Sequence, residues 1–217
     1  MSAIIAKSGP VFVPRYNALE RSTHWVLAIS FIVATLSGLA LFHPAFWFLS
    51  NFLGGGVWSK TLHPWAGLVM CVAFVPMFFW YWRDNLIRDY DVEWLKHLPQ
   101  HLLNKHGDGP EIDKYNAGQK MLFWSIIASL VMLFFSGFVL WFDTDLKLAA
   151  TLVRIAGVIH VLASFILFMG MIVHIYSAIF WIKGSMRAMM RGEVKESWAK
   201  HHHPLWYRRV TGKAKAR

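Results

Sequence analysis

Four stretches of this sequence carry no charged side chain, between Arg21 and Lys60, Lys60 and Arg83, Lys120 and Asp143, and Arg154 and Lys183. Each holds the roughly 20 apolar residues that a transmembrane helix needs. The pattern predicts an all-α membrane protein, a bundle of four transmembrane helices near residues 24–43, 62–82, 119–142 and 154–182. A basic tail follows over 183–217, and the chain reads as one integral membrane domain over 1–217. Composition agrees: 56% of residues are hydrophobic and only 16% charged, far from the balance of a soluble domain. Pro76 falls inside the second span, where neighbouring helices can satisfy the carbonyl it frees, so a kink is expected there.

Four spans put both termini and the 83–120 loop on one side of the bilayer. Of the 22 basic residues, only Lys60, Lys147 and Arg154 fall to the two short loops on the other side. The positive-inside rule then predicts cytoplasmic termini in a multi-pass membrane protein. The first 22 residues contain Lys7, Pro10, Pro14, Arg15, Glu20 and Arg21 and no long apolar run, so no cleaved signal peptide is expected. Beside a membrane helix, the ten basic residues after Ile182 read as lipid contact and topology control rather than a nucleic-acid surface. Trp25, Trp47, Trp58, Trp65, Trp80, Trp82, Trp141 and Trp181 fall close to span ends, as an interfacial aromatic belt requires.

Cys71 is the single cysteine, which leaves no disulfide, no Cys-ligated zinc cluster and no C-x-x-C-H attachment. Neither a phosphate-binding loop nor a dinucleotide fingerprint occurs, and no internal repeat is found, so a nucleotide-using enzyme is not indicated.

The eleven histidines divide by position. His97, His101 and His106 lie in the polar loop and His201, His202 and His203 in the tail, where solvated side chains are expected. His43, before Pro44, reads as an interfacial residue. His24, His63, His160 and His174 remain, each within or at the edge of an apolar run, where an ionisable group is a functional hypothesis by default.

The stretch HVLASFILFMGMIVH joins two of them. Fourteen residues of helix separate His160 from His174 by about 21 Å and return them to nearly the same stripe. With the termini inside, His24 and His174 share the inner depth, and His63 and His160 the outer one. Two neutral imidazoles facing each other across a bundle suit the iron of a six-coordinate haem, and two such pairs would make an electron wire across the bilayer. A macrocycle between helices also needs missing side-chain volume. Ala28, Gly67, Ser164 and Gly170 lie one turn toward the midplane from the four histidines, and Gly38 lies fourteen residues after His24. Small residues serve ordinary helix packing as well. Arg21 inside and Arg154 outside are candidate partners for haem propionates, against the plainer reading of snorkelling flank residues.

Five segments carry a family resemblance: RSTHW (21–25), LHPWAG (62–67), KYNAGQKMLFWS (114–125), HIYSAIFWIKGSMRAMMRG (174–192) and WAKHHHPLWYR (198–208). Together they resemble the cytochrome b (gamma, b556) subunit of membrane-bound respiratory formate dehydrogenases, from about residue 12 to the tail. The paired histidines are also shared with the cytochrome b subunits of nickel-iron hydrogenases.

The resemblance implies two haem b groups, with His24 and His174 ligating the inner iron and His63 and His160 the outer. It also implies a quinone site, for menaquinone or ubiquinone as substrate, at Asn116, Gly118 and Gln119 with His174 lining it. From the residues alone, Asn116 reads first as a plain cap of the third span. The implied partners are an iron-sulfur (beta) subunit and a periplasmic catalytic (alpha) subunit with a molybdenum or tungsten pterin, in a heterotrimer open to further oligomerisation. In that complex electrons from formate cross this chain to quinone, whose protons come from the cytoplasm, so that a redox loop builds proton-motive force in anaerobic respiration. Two other functions compete: the cytochrome b of a hydrogenase or another quinone-linked oxidoreductase, and a histidine-lined metal or proton transporter. The absence of Asp, Glu, Lys and Arg between the charges bounding each run argues against a pump-like relay.

Overall fold

The computed structural model describes residues 11–102 and 109–212, and His106 lies outside them, as does the side chain of His101. In chain order the elements are β1 (Phe12–Pro14), α1 (Ala18–Phe42), a 3-10 segment (Pro44–Leu53), α2 (Gly56–Tyr81), α3 (Asp89–Lys96) and α4 (Leu98–Leu102). There follow α5 (Ala117–Trp141), α6 (Ala150–Tyr176), a π-helical turn (Ser177–Trp181), α7 (Met186–Arg191), β2 (Glu193–Lys195), α8 (Glu196–His202) and α9 (Pro204–Thr211).

Among the described residues, helices α1, α2, α5, and α6 with its π turn are the four long enough and apolar enough to cross a membrane. All start before the predicted spans, because capping chemistry rather than the last charge sets a helix end. At α1 the Asn17 amide donates to Glu20 Oε2 (2.7 Å) and the Glu20 amide to Asn17 Oδ1 (2.9 Å). This reciprocal box satisfies two of the amides a helix start leaves orphaned, so the helix begins at Ala18 although its first turn is polar. The same box recurs at α5, between Asn116 and Gln119 (3.0 and 2.9 Å). Helix α2 is continuous through Pro64 and Pro76. At the end of α6 the Ile182 amide reaches back five residues to the Ser177 carbonyl (2.9 Å), which widens the last turn.

The chain forms two compact units. The larger comprises Ser22–Arg83 and Met121–Ile175, the greater part of the four long helices. At its centre Met70, Leu130 and Leu167 are buried, packed by Leu27 and Phe31 of α1, Phe74 of α2, Ile126 and Leu133 of α5 and Met171 of α6. All four helices thus contribute to one apolar layer. Outside it the long side chains point away: Phe79, Phe135 and Phe165 are exposed by 66%, 65% and 62%. Apolar exposure on that scale would precipitate a soluble protein, and inside a bilayer it is the lipid-facing surface.

The second unit gathers, among the described residues, 11–21, 84–102 with 109–120, and 176–212, so segments distant in sequence fold together. β1 and β2 pair antiparallel, with Val13 opposite Val194, and Val13, Ala188, Val194, Ala199, Trp206 and Tyr207 form its core. The tail is therefore not simply a solvated basic segment. Its cations are substantially paired: Arg208 holds Glu111 through two nitrogens (3.0 and 2.5 Å), Arg209 reaches Asp113 (3.0 Å) and Arg187 reaches Glu193 (2.5 Å). Arg15 lies under this core with its guanidinium 4.6 to 5.9 Å from the rings of Tyr16, Tyr115, Trp198 and Trp206, and donates to the Lys114 carbonyl (2.6 Å).

His203 departs from the expectation of a solvated side chain. It is 3% exposed, and its Nδ1 lies 2.7 Å from the Asp113 carbonyl. Burial, and then the Arg15 charge, push its pKa down to about 3 against the opposing pull of that carbonyl. His203 is a neutral core residue whose N–H ties the tail to the 109–116 segment.

Candidate functional site

The four intramembrane histidines meet in two pairs. The rings of His63 (α2) and His160 (α6) have centroids 6.1 Å apart, and those of His24 (α1) and His174 (α6) 6.3 Å apart. The structure brings together the same partners that the sequence pairs, and α6 contributes to both couples. The Met70, Leu130 and Leu167 layer belongs to the same four helices, at chain positions between the two pairs.

Local chemistry fixes the tautomer at the pair of His63 and His160. His63 Nδ1 lies 3.1 Å from the Ala34 carbonyl, and a carbonyl only accepts, so Nδ1 carries the hydrogen and Nε2 presents its lone pair. Ser37 Oγ lies 3.0 Å from the same Nδ1 and sends its own hydrogen to the Val33 carbonyl (2.6 Å). His160 repeats the arrangement: Ser136 Oγ is 3.0 Å from its Nδ1 and donates to the Met132 carbonyl (2.6 Å), while the Leu133 carbonyl faces the ring. Each serine is followed by a glycine on which the ring lies. A Cβ on Gly38 would stand 2.9 Å from His63 Cε1, and one on Gly137 would stand 3.2 Å from His160 Cε1. The pair of His24 and His174 differs, since His24 Nδ1 is buried with no hydrogen-bond partner.

This geometry fits an iron held axially. Two metal–nitrogen bonds of about 2.0 Å with a ring beyond each place imidazole centroids roughly 6 Å apart. Among the described residues no cluster of three or more His, Cys, Asp or Glu is poised to hold a metal ion, so each pair offers two donors and a macrocycle would supply the rest.

The predicted clearances divide. A Cβ on Gly67 would meet nothing within 4 Å, whereas one on Gly170 would stand 3.1 Å from Leu122 Cδ1. Gly170 therefore serves close packing of α6 on α5. Gly38 makes room for the His63 ring itself. Ser37, Ser136 and Gly137 were not singled out from the sequence, and the available signal was the Ser-Gly dipeptide repeated in the first and third spans.

At the head of α5, Asn116 and Gln119 use their side-chain oxygens for the capping box, which leaves the two amide NH2 groups as donors. A Cβ on Gly118 would stand 3.3 Å from the Trp94 ring. The next residue corrects the expectation that charges only bound the spans. Lys120, in the first turns of α5, is 2% exposed, and its ammonium donates to Asp91 Oδ2 (2.6 Å), Tyr90 Oη (2.9 Å) and the Leu86 carbonyl (3.0 Å). Asp91 Oδ2 also accepts from the Arg88 amide (2.7 Å) in the capping box of α3. Arg21 Nη1 donates to the Met190 carbonyl at the end of α7 (2.9 Å), and Arg154 is exposed on α6. His43 caps the 3-10 segment, its Nδ1 accepting from the Ala45 amide (3.2 Å).

Comparison with known proteins adds sequence relationships to this geometry. The family described as prokaryotic cytochrome b561 matches residues 15–192. The chain is 40% identical over 200 residues to the formate dehydrogenase cytochrome b556(fdo) subunit of Escherichia coli K12, covering 91% of this chain and 93% of that protein. It is 37% identical over 195 residues to the formate dehydrogenase cytochrome b556 subunit of Haemophilus influenzae, covering 89% and 82%. With the nitrate-inducible cytochrome b556(Fdn) subunit of E. coli K12 it shares 34% identity over 199 residues, 91% of each chain.

Proposed function

Because this chain belongs to the prokaryotic cytochrome b561 family, we propose that it is the membrane cytochrome b subunit of a respiratory formate dehydrogenase, carrying electrons across the bacterial inner membrane to quinone. The observation that carries the reading is the pair of facing imidazole couples at two depths of one four-helix unit, with centroids 6.1 and 6.3 Å apart. Haem b, when bound, supplies the one-electron chemistry of its iron. His63 and His160 are proposed as axial ligands at the outer site, and His24 and His174 at the inner. Their ring nitrogens would hold the metal, and the Ser-Gly backing would orient the rings of His63 and His160.

The quinone reading is supported by the donor chemistry left at Asn116 and Gln119 and by the resemblance in KYNAGQK, with Gly118 keeping the surface of that turn small. Arg154 and Arg21 remain the proposed propionate partners; of the two, Arg154 is the more available, since Arg21 already serves the Met190 carbonyl. Cytoplasmic termini follow from the loop charges. The partners are then an iron-sulfur subunit and a molybdenum or tungsten pterin catalytic subunit on the opposite side.

His160→Ala in the assembled complex tests the reading. It should halve the b-type haem content and abolish formate-dependent quinone reduction while leaving formate oxidation by a soluble dye intact. A variant with full haem content and full quinone reduction would show that His160 is no ligand.

A further inference from the structure

The two histidine pairs are held by different surroundings. At the outer pair both Nδ1 atoms face acceptors: Ser37 Oγ (3.0 Å) and the Ala34 carbonyl (3.1 Å) for His63, and Ser136 Oγ (3.0 Å) for His160. Both serine hydrogens are committed to carbonyls four residues earlier, Val33 and Met132, each at 2.6 Å, so each Oγ turns a lone pair toward its imidazole. Ser37 is 0% and Ser136 5% exposed, which keeps water from replacing either contact. The two Ser-Gly units are equivalent, one on α1 serving His63 of α2 and one on α5 serving His160 of α6. At the inner pair His24 Nδ1 has no acceptor, and Gly170 faces Leu122 rather than a ring.

An acceptor on Nδ1–H draws that hydrogen outward and makes the opposite nitrogen a more basic ligand. A more basic axial ligand favours ferric over ferrous iron and lowers the reduction potential. Resting on the axial-ligand reading above, we propose that Ser37 and Ser136 are positioning residues that make the outer histidines the stronger donors, set the outer haem at the lower potential, and so give electron transfer its outer-to-inner direction.

Optical redox titration of the detergent-solubilised complex tests this. Wild type should show two b-type components with separated midpoint potentials. In the double variant Ser37→Ala with Ser136→Ala, haem content should hold while the lower potential rises by about 59 mV or more, a tenfold change in the ratio of oxidised to reduced haem. The higher potential should stay in place. Unmoved potentials in a haem-replete variant, or a shift confined to the higher component, would overturn the assignment. If the double variant loses haem, the single variants Ser37→Ala and Ser136→Ala should each move the lower component by part of that amount. Haem loss in both single variants would mean that the hydroxyls pack the rings without tuning them. Fewer than two b haems in the wild-type complex would instead overturn the axial-ligand reading itself.

Discussion

Removing the ammonium of Lys120 should cost far more than removing an ordinary lysine. Its three donors are all engaged, at 2.6, 2.9 and 3.0 Å, and the partner Asp91 side chain is 4% exposed. In Lys120→Met the methionine fills most of the volume, while the Asp91 carboxylate stays buried with only the Arg88 amide to compensate it, and its Oδ1 already lacks a partner. Breaking a buried pair from one side typically costs about 3–5 kcal/mol. The loss should be local, because the pair ties α3 to the head of α5. Hydrogen exchange on the assembled complex should report amide protection over 84–100 lowered by roughly two to four powers of ten, at about 1.4 kcal/mol per power. The double variant Lys120→Met with Asp91→Leu removes both charges and should recover much of that protection, apart from the lost cap on Arg88. Wild-type protection in the single variant, or no recovery in the double, would refute the argument that the cost is an uncompensated buried charge.

Two more perturbations follow from the same coordinates. Gly38→Ala puts a Cβ 2.9 Å from His63 Cε1, and Gly137→Ala puts one 3.2 Å from His160 Cε1. Both should lower outer haem occupancy, Gly38→Ala more severely, as read from the reduced-minus-oxidised spectrum; equal and full occupancy would refute the cradle. For His203, the fall from an ordinary 6.5 to about 3 means that the unfolded segment binds a proton in that window and the folded one does not. Stability of the unit holding the tail is therefore complete above about pH 6.5 and declines as pH falls toward 3, by at most about 5 kcal/mol at 1.36 kcal/mol per pKa unit. Hydrogen exchange over 109–116 and 196–212, corrected for intrinsic rates, should show it, and His203→Gln should flatten the dependence.

The pairing of His24 with His174 and of His63 with His160 was legible because few residues as costly as an intramembrane histidine occur by chance, and helix rise alone assigns them to depths. The Ser-Gly backing was not, since serine and glycine are common in membrane helices and only tertiary contact distinguishes Gly38 against an imidazole from Gly170 against Leu122. The folded tail was hidden for a different reason. Its basic composition reads as lipid contact and topology control, while its core depends on Val13 meeting Val194 from distant parts of the chain. Lys120 was read as a boundary because a charge beside an apolar run looks like a stop, and its partner Asp91 lies 29 positions away.

The buried layer of Met70, Leu130 and Leu167 has an electrical meaning. With a haem at each histidine pair, as proposed, it would act as the insulator of a molecular condenser whose plates are those two pairs. Fourteen residues of helix set the plates about 21 Å apart in a hydrocarbon core of about 30 Å, so an electron moving between them traverses roughly seven-tenths of the transmembrane voltage. At about 2.3 kcal/mol per charge per 100 mV, an electron passing inward on the proposed reading would do roughly 1.6 kcal/mol of work against every 100 mV of an inside-negative membrane. On the proposed reading, energy would thus be stored in the transfer itself before any proton moves, and the drop in potential from donor to quinone would have to cover that back-voltage.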